Sequence, residues 1–289
     1  MKKQVLTYKA YAMITIIIWV LAYIFTKIGL KYYSALSLSV FRYLAASIYL
    51  IIVIWIKKVP FPKKRDIPGI FLTGSFGFAI YVVTFNIGAE SVSVATSSII
   101  ISTTPLITAV IANFCYRERL SKIQWIAVVI EFTGVTLICI WDSSLSLNTG
   151  VLWILVAAVS FSLYNILQRK LTKSYTPFQT TSYCILSSTL LLLVFLPQSL
   201  PDLKHSTPEA IISVLAMGIF CSGVAYTLWS KALALAPKTS DVTNYIFLSP
   251  FLSALLGAVI LGEIPNIGTL IGGLIVMVGM FLFEKRQKN

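Results

Sequence analysis

Hydrophobic residues along this chain come in long, nearly unbroken runs, and the polar residues gather at the breaks between them. Runs of this kind reach the roughly 20 residues that cross about 30 Å of hydrocarbon as helix. Reading them against charged and turn-rich breaks predicts helical spans at 10–30, 35–56, 67–87, 92–115, 123–141, 150–168, 178–196, 210–230, 238–261 and 267–283. The connections are short, the longest being KKVPFPKKRD after the second span and PQSLPDLKHSTPE after the seventh. They leave no room for a soluble domain. The first run follows Lys2, Lys3 and Lys9 but is too long for the core of a signal peptide, so it reads as the first span. The expected fold is an all-α polytopic membrane protein of ten helices, with the lipid bilayer as its solvent.

Composition agrees, since only 11% of the 289 residues are charged, against about 25% in a soluble domain. A net charge of +13 would suggest a nucleic-acid partner in a soluble protein. Here the basic residues sit at the ends of apolar runs, where they orient the chain, and no nucleic acid is expected. An even number of spans puts both termini on one side. Nineteen Lys and Arg fall on that side, whereas the other has two, Lys31 and Lys204. The positive-inside rule then predicts cytoplasmic termini in the cell membrane. Cys115, Cys139, Cys184 and Cys221 lie in apolar spans without the spacing of a disulfide framework or zinc site, and read as packing residues.

Two spans carry a proline near their middle, Pro105 and Pro250, 145 positions apart. The same interval separates Glu118 from Glu263, Gly134 from Gly279, Tyr81 from Tyr226 and Ala89 from Ala234. It also pairs Ser121 with Asn266, both suited to cap a final helix, and Ser121 with Gln124 reads as a capping box. The first two spans of each half match more weakly, near 142, as Lys27 with Arg169 and Phe41 with Tyr183. This register predicts two five-helix repeats, 1–141 and 142–289. With five spans each, the second is inverted in the membrane, which puts Glu118 on the cytoplasmic side and Glu263 outside. Inverted repeats mark many secondary transporters, whose substrate site lies near the midplane between the halves. Each proline frees a carbonyl one turn back, that of Ile101 or Ile246. A kink relieved by the hydroxyls of Thr103, Thr104 and Ser249, a hinge at Pro105 and Pro250, and a direct substrate contact are all open at this point.

These features resemble the EamA-type branch of the drug/metabolite transporter superfamily. The resemblance rests on IIIWVLAYIFTKIGL with Trp19 and Lys27, on LSVFRYLAAS with Arg42, on the two proline-to-acid segments, and on the tails RERLSKIQWIAVVIEFTGVTLI and GEIPNIGTLIGGLIVMVGMFLF. Cys115-Tyr116-Arg117 stands where the family has small residues, and the second half has no tryptophan or arginine matching Trp19 and Arg42. The resemblance implies a ten-helix carrier with a central cavity lined by spans one, three, four, six, eight and nine. Its members move amino acids or other small metabolites, mostly outward.

Charged residues within spans are costly and default to functional candidates. Lys27 and Arg42 lie on the order of 10 Å below the outer surface, counting 1.5 Å per residue, and together would attract an anion such as a substrate carboxylate. Snorkelling accounts for Lys27 equally well, and a structural bond to helix-end carbonyls for Arg42. Glu131 is the only carboxylate deep inside a span and is the proton-coupling candidate; packing against a polar partner or at a subunit interface competes with that role. Asp241 reads as a helix-terminal cap. Further substrate-binding candidates are Tyr81, Asn86, Tyr164, Asn165, Gln168, Tyr226, Trp229, Asn244 and Tyr245, with interhelical hydrogen bonding as the alternative for the amides. Trp55, Trp141 and Trp153 read as interfacial anchors. Gly268 and Gly272 form a GxxxG suited to close packing within the chain or in a homodimer.

The leading function is therefore secondary active transport of a small polar metabolite, amino-acid export above all, with a proton or other ion as coupling partner. An intramembrane lipid- or metabolite-modifying enzyme is the alternative. It has little material: the single histidine, His205, is in a polar loop, and no phosphate-binding loop occurs. No catalytic residue, metal ligand or cofactor is assigned.

Overall fold

The computed structural model describes residues 2–116, 120–141, 148–236, 242 and 244–287; among these there are helices and turns but no strands. Each predicted span has its helical column. These are α1 (Lys2–Gly29), α2 (Ala35–Ile56), and α3, which runs through Ile67–Gly74, Ser75–Ile80 and Tyr81–Ser91. Next come α4 (Val94–Ser102, then Thr104–Tyr116), α5 (Lys122–Trp141), α6 (Thr149–Leu171) and α7 (Pro177–Leu192). The last three are α8 (Pro208–Leu215, Ala216–Val224, Ala225–Leu235), α9 (Asn244–Leu248, Ser249–Leu256, Gly257–Leu261) and α10 (Ile267–Gln287). Among the described residues seven helices are long and apolar enough to cross a membrane, and two shorter apolar ones cover Tyr245–Leu261 and Ile267–Phe283. This is a polytopic membrane protein. Glu118, Asp241 and the side chains of Cys115 and Cys139 lie outside the described residues, while Cys184 and Cys221 are buried free thiols.

The helices start where their sequences supply a cap. Ser121 Oγ accepts from Gln124 N at 3.3 Å and Gln124 Oε1 from Ser121 N at 2.8 Å, a complete capping box on α5. At the matching place before α10, Asn266 Oδ1 accepts from Thr269 N at 2.6 Å. The proline breaks are matched too. Thr104 Oγ1 donates to the carbonyl of Ile101 at 2.5 Å, and Ser249 Oγ to that of Ile246 at 2.6 Å. Each carbonyl that the proline deprives of its N–H is thus satisfied by the preceding hydroxyl, as the interior of a membrane requires.

Two wide, π-helical turns shape the middle of the bundle. One is Ser75–Ile80 in α3, the other Ala216–Val224 in α8, and each ends within two residues of a tyrosine of the 145-residue register, Tyr81 or Tyr226. Such turns are frequent at functional sites because they re-aim the following side chains. Glycines let the neighbours close in on them. A Cβ on Gly77 would collide with the Tyr164 ring, and one on Gly218 would lie 2.7 Å from the Arg42 carbonyl.

The α5–α10 seam is also built on small residues. A Cβ on Gly134 would meet the Gly272 carbonyl at 2.6 Å and Val276 at 2.8 Å, while one on Gly279 would meet the Ala127 carbonyl at 2.9 Å and Glu131 at 2.7 Å. Shifted by 145 positions, these are the same contact made twice. Gly268 packs against Trp141 and Gly272 against Ile138, so both glycines of the GxxxG are used within the chain.

Candidate functional site

A narrow cavity lies at the centre of the bundle. It is lined by Ile16, Trp19, Ala22, Tyr23 and Thr26 of α1, Arg42 of α2, Tyr81 and Phe85 of α3, and Ile101 of α4, with Phe161 of α6, Tyr226 of α8, and Ile246 and Ser249 of α9 closing the other side. Its volume of about 40 Å³ holds only a few waters. Helices one, three, four, six, eight and nine contribute as the resemblance implies, and α2 adds its arginine. Two pairs in the 145-residue register, Tyr81 with Tyr226 and Ile101 with Ile246, line the same space.

Arg42 is the only charged residue in this lining and is just 4% exposed. Its Nε donates to Ser222 Oγ at 3.0 Å, and its guanidinium carbon lies 5.5 Å from the centre of the Tyr43 ring. No carboxylate pairs with it among the described residues. Gly218 and the wide turn of α8 make this placement: the turn lies against the α2 backbone at Arg42 and carries Ser222 onto the guanidinium. Around the charge stands an aromatic wall. Trp19 packs on Phe161, Tyr226 and Trp229 at 5.6, 4.8 and 4.9 Å, and Tyr81 lies 5.3 Å from Phe161. The Trp19 indole N–H is already engaged, donating to the Cys221 carbonyl at 3.2 Å.

Beyond the cavity, towards the side opposite the termini, a wider vestibule of about 610 Å³ is lined by Lys27, Lys31, Tyr32, Tyr33, Ser34, Glu90 and Glu263 among others. Here Lys27 Nζ pairs with Glu263 Oε1 at 3.8 Å. The other oxygen of Glu263 accepts from Val94 N at 2.7 Å, at the start of α4, where an anion also meets the positive end of the helix dipole. Gly262 makes the turn that aims this carboxylate. Its φ of +67° is the left-handed conformation that glycine adopts without strain.

The structure therefore separates the two cations, placing Arg42 in the cavity and Lys27 in the vestibule. Tyr81 and Tyr226 line the cavity; the other aromatic candidates pack behind or away from it. Trp229 is fully buried against Trp19, and Tyr164 stacks on Phe161 at 5.7 Å. Tyr245 is half-buried, and the side chain of Asn244 lies outside the described residues. The remaining amides bind neighbouring helices. Asn86 Nδ2 donates to Ser39 Oγ at 2.9 Å, Asn165 Oδ1 accepts from Trp229 Nε1 at 3.4 Å, and Gln168 Nε2 donates to Ser230 Oγ. Glu131 is 1% exposed in the α5–α10 seam, away from the cavity, and neither of its oxygens has a partner among the described residues.

The sequence profile of the EamA-like transporter family matches residues 7–140 and 148–284. This chain belongs to the EamA-like transporter family. Among its EamA relatives is the Bacillus subtilis protein named uncharacterized transporter YdfC, 29% identical over 94% of this chain and 89% of that one. Another, from Streptantibioticus cattleyicolor, is named a probable terminal-alkyne amino-acid exporter and is 27% identical over 94% of this chain and 92% of that one. A solved crystal structure superposes on 96% of both chains with a TM-score of 0.67 at 17% identity, a likeness of fold alone. Within this EamA chain, Tyr23, Thr26, Phe85, Phe161 and Ser222 belong to the site without standing out in the sequence. Only the spacing of 142 between Trp19 and Phe161, close to the weaker repeat register, carried a signal for any of them.

Proposed function

We propose that this EamA-family protein is a secondary active carrier that exports a small polar metabolite, an amino acid or related compound, across the cytoplasmic membrane by alternating access. The observation that carries the reading is the central cavity, with one buried guanidinium in an aromatic lining contributed by both halves of the chain. At about 40 Å³ it is too narrow for a metabolite, so helices must part on one side or the other to admit one. Residues 1–141 and 142–289 are the two moving repeats in this account, with Pro105 and Pro250 as hinges. The reciprocal α5–α10 contacts and the matched hydroxyl–carbonyl bonds at the two prolines support that division. With both termini in the cytoplasm, the vestibule at Lys27 and Glu263 faces outward. Amino-acid export draws support from the name of the Streptantibioticus relative.

The test is efflux from liposomes loaded with a mixed pool of amino acids, nucleosides and organic acids, followed by mass spectrometry with and without a pH gradient. Selective, saturable loss of one class is expected. Dependence on the gradient, abolished by Glu131→Gln, would assign proton coupling to that residue. Loss no faster than from protein-free liposomes, with protein shown to be folded, would overturn the carrier reading.

A further inference from the structure

We infer that the cavity, once the helices part, is a carboxylate receptor: it recognises a small monocarboxylate with an apolar body through Arg42, and does so without requiring an amino group on the ligand. The inference rests on the carrier reading for its biological meaning but on separate observations for its chemistry. A guanidinium has five N–H donors in a planar fork. Here one bond is made, from Nε to Ser222, and the terminal nitrogens have no protein acceptor among the described residues although the residue is 4% exposed. A buried cation left unpaired is costly, and a bidentate carboxylate is the ligand whose geometry fits the fork. Tyr81 and Tyr226 line the same space and bring two further hydroxyl donors to it.

The rest of the lining decides what the carboxylate is attached to. Ile16, Ala22, Phe85, Ile101, Phe161 and Ile246 present carbon, which suits an aliphatic or aromatic body. No Asp or Glu lines the cavity, so an ammonium group would find hydroxyl oxygens and the faces of aromatic rings but no counter-charge. The site is built for one end of an amino acid and is indifferent to the other. Lys27 does not supply a second cation, because Glu263 already neutralises it in the vestibule.

The experiment uses three ligands that share a 3-methylbutyl unit: 4-methylpentanoate, L-leucine and 3-methylbutylamine. Binding of each to the purified full-length protein is measured by calorimetry, and the same compounds are tested as competitors of efflux. Expected is binding of 4-methylpentanoate within a few-fold of leucine, with the amine at least about tenfold weaker than both, the worth of one charge-assisted hydrogen bond. Arg42→Gln, checked for monodispersity, should weaken the carboxylate about tenfold or more. Arg42→Lys, which keeps the charge but loses the fork, should fall between. Equal binding of amine and carboxylate, unchanged affinity in Arg42→Gln, or no binding of any of the three would overturn the inference. The two readings fail separately. Carboxylate binding without flux would leave the receptor and remove the carrier, whereas selective flux untouched by carboxylates would leave the carrier and remove the receptor.

Discussion

At the scale of single residues, a cation inside an apolar run was legible, but what it meets was not. Lys27 and Arg42 stand out in the sequence for the same reason and read alike. Their partners lie 236 and 180 positions away, at Glu263 and Ser222, and no local pattern announces either. The amides show the same limit. Placing Asn86, Asn165 or Gln168 in hydrocarbon is costly, and a cavity or a neighbouring helix relieves that cost equally well. Three-dimensional packing alone chose the neighbour. Glu263 has two jobs that can be separated. Glu263→Gln removes the ion pair, which at 19% and 26% exposure is worth less than about 1 kcal/mol, yet keeps an acceptor for Val94 N. Glu263→Ala loses the cap as well, adding about 1 kcal/mol. Denaturant unfolding in detergent should rank the variants in that order; equal losses would mean that the contact with α4 contributes nothing.

At the scale of elements, hydrophobic run length located each of the columns α1–α10, because a membrane leaves the backbone of an apolar run no water to bond. The short helical turns at Leu196–Ser199 and Leu200–His205, by contrast, lie in a stretch that reads as a connection. Caps were also legible: Ser121, Gln124 and Asn266 do locally what their spacing implies. The wide turns at Ser75–Ile80 and Ala216–Val224 were not, since they come from how helices crowd one another rather than from local composition. The seam between α5 and α10 gives a test of matched halves. Ala at Gly134 or at Gly279 places a methyl against backbone less than 3 Å away, and overpacking of this kind costs about 1–3 kcal/mol. The two substitutions occupy equivalent positions, so their losses should agree within about 1 kcal/mol in a thermal melt. A neutral Gly134→Ala beside a damaging Gly279→Ala would show that the seam is not symmetric in energy.

At the scale of the whole molecule, the uneven distribution of basic residues predicts which face looks outward. In intact cells a membrane-impermeant maleimide should label Lys31→Cys, at the exposed vestibule rim, and should reach Lys173→Cys, in the exposed turn after α6, only once the cells are opened. The reverse pattern would turn the carrier over and put the vestibule in the cytoplasm. In the proposed carrier, solute passes through the cavity rather than along a lipid-facing groove or between subunits. Ala22 lines that cavity, whereas Ile17, on the same helix, is 50% exposed on the outer surface of the bundle. The decisive measurement is efflux from liposomes carrying Ala22→Phe beside liposomes carrying Ile17→Phe, at equal amounts of monodisperse protein. Ala22→Phe is expected to stop the flux and Ile17→Phe to leave it within twofold of the parent; full flux through the Ala22→Phe protein would mean that solute does not cross through the cavity.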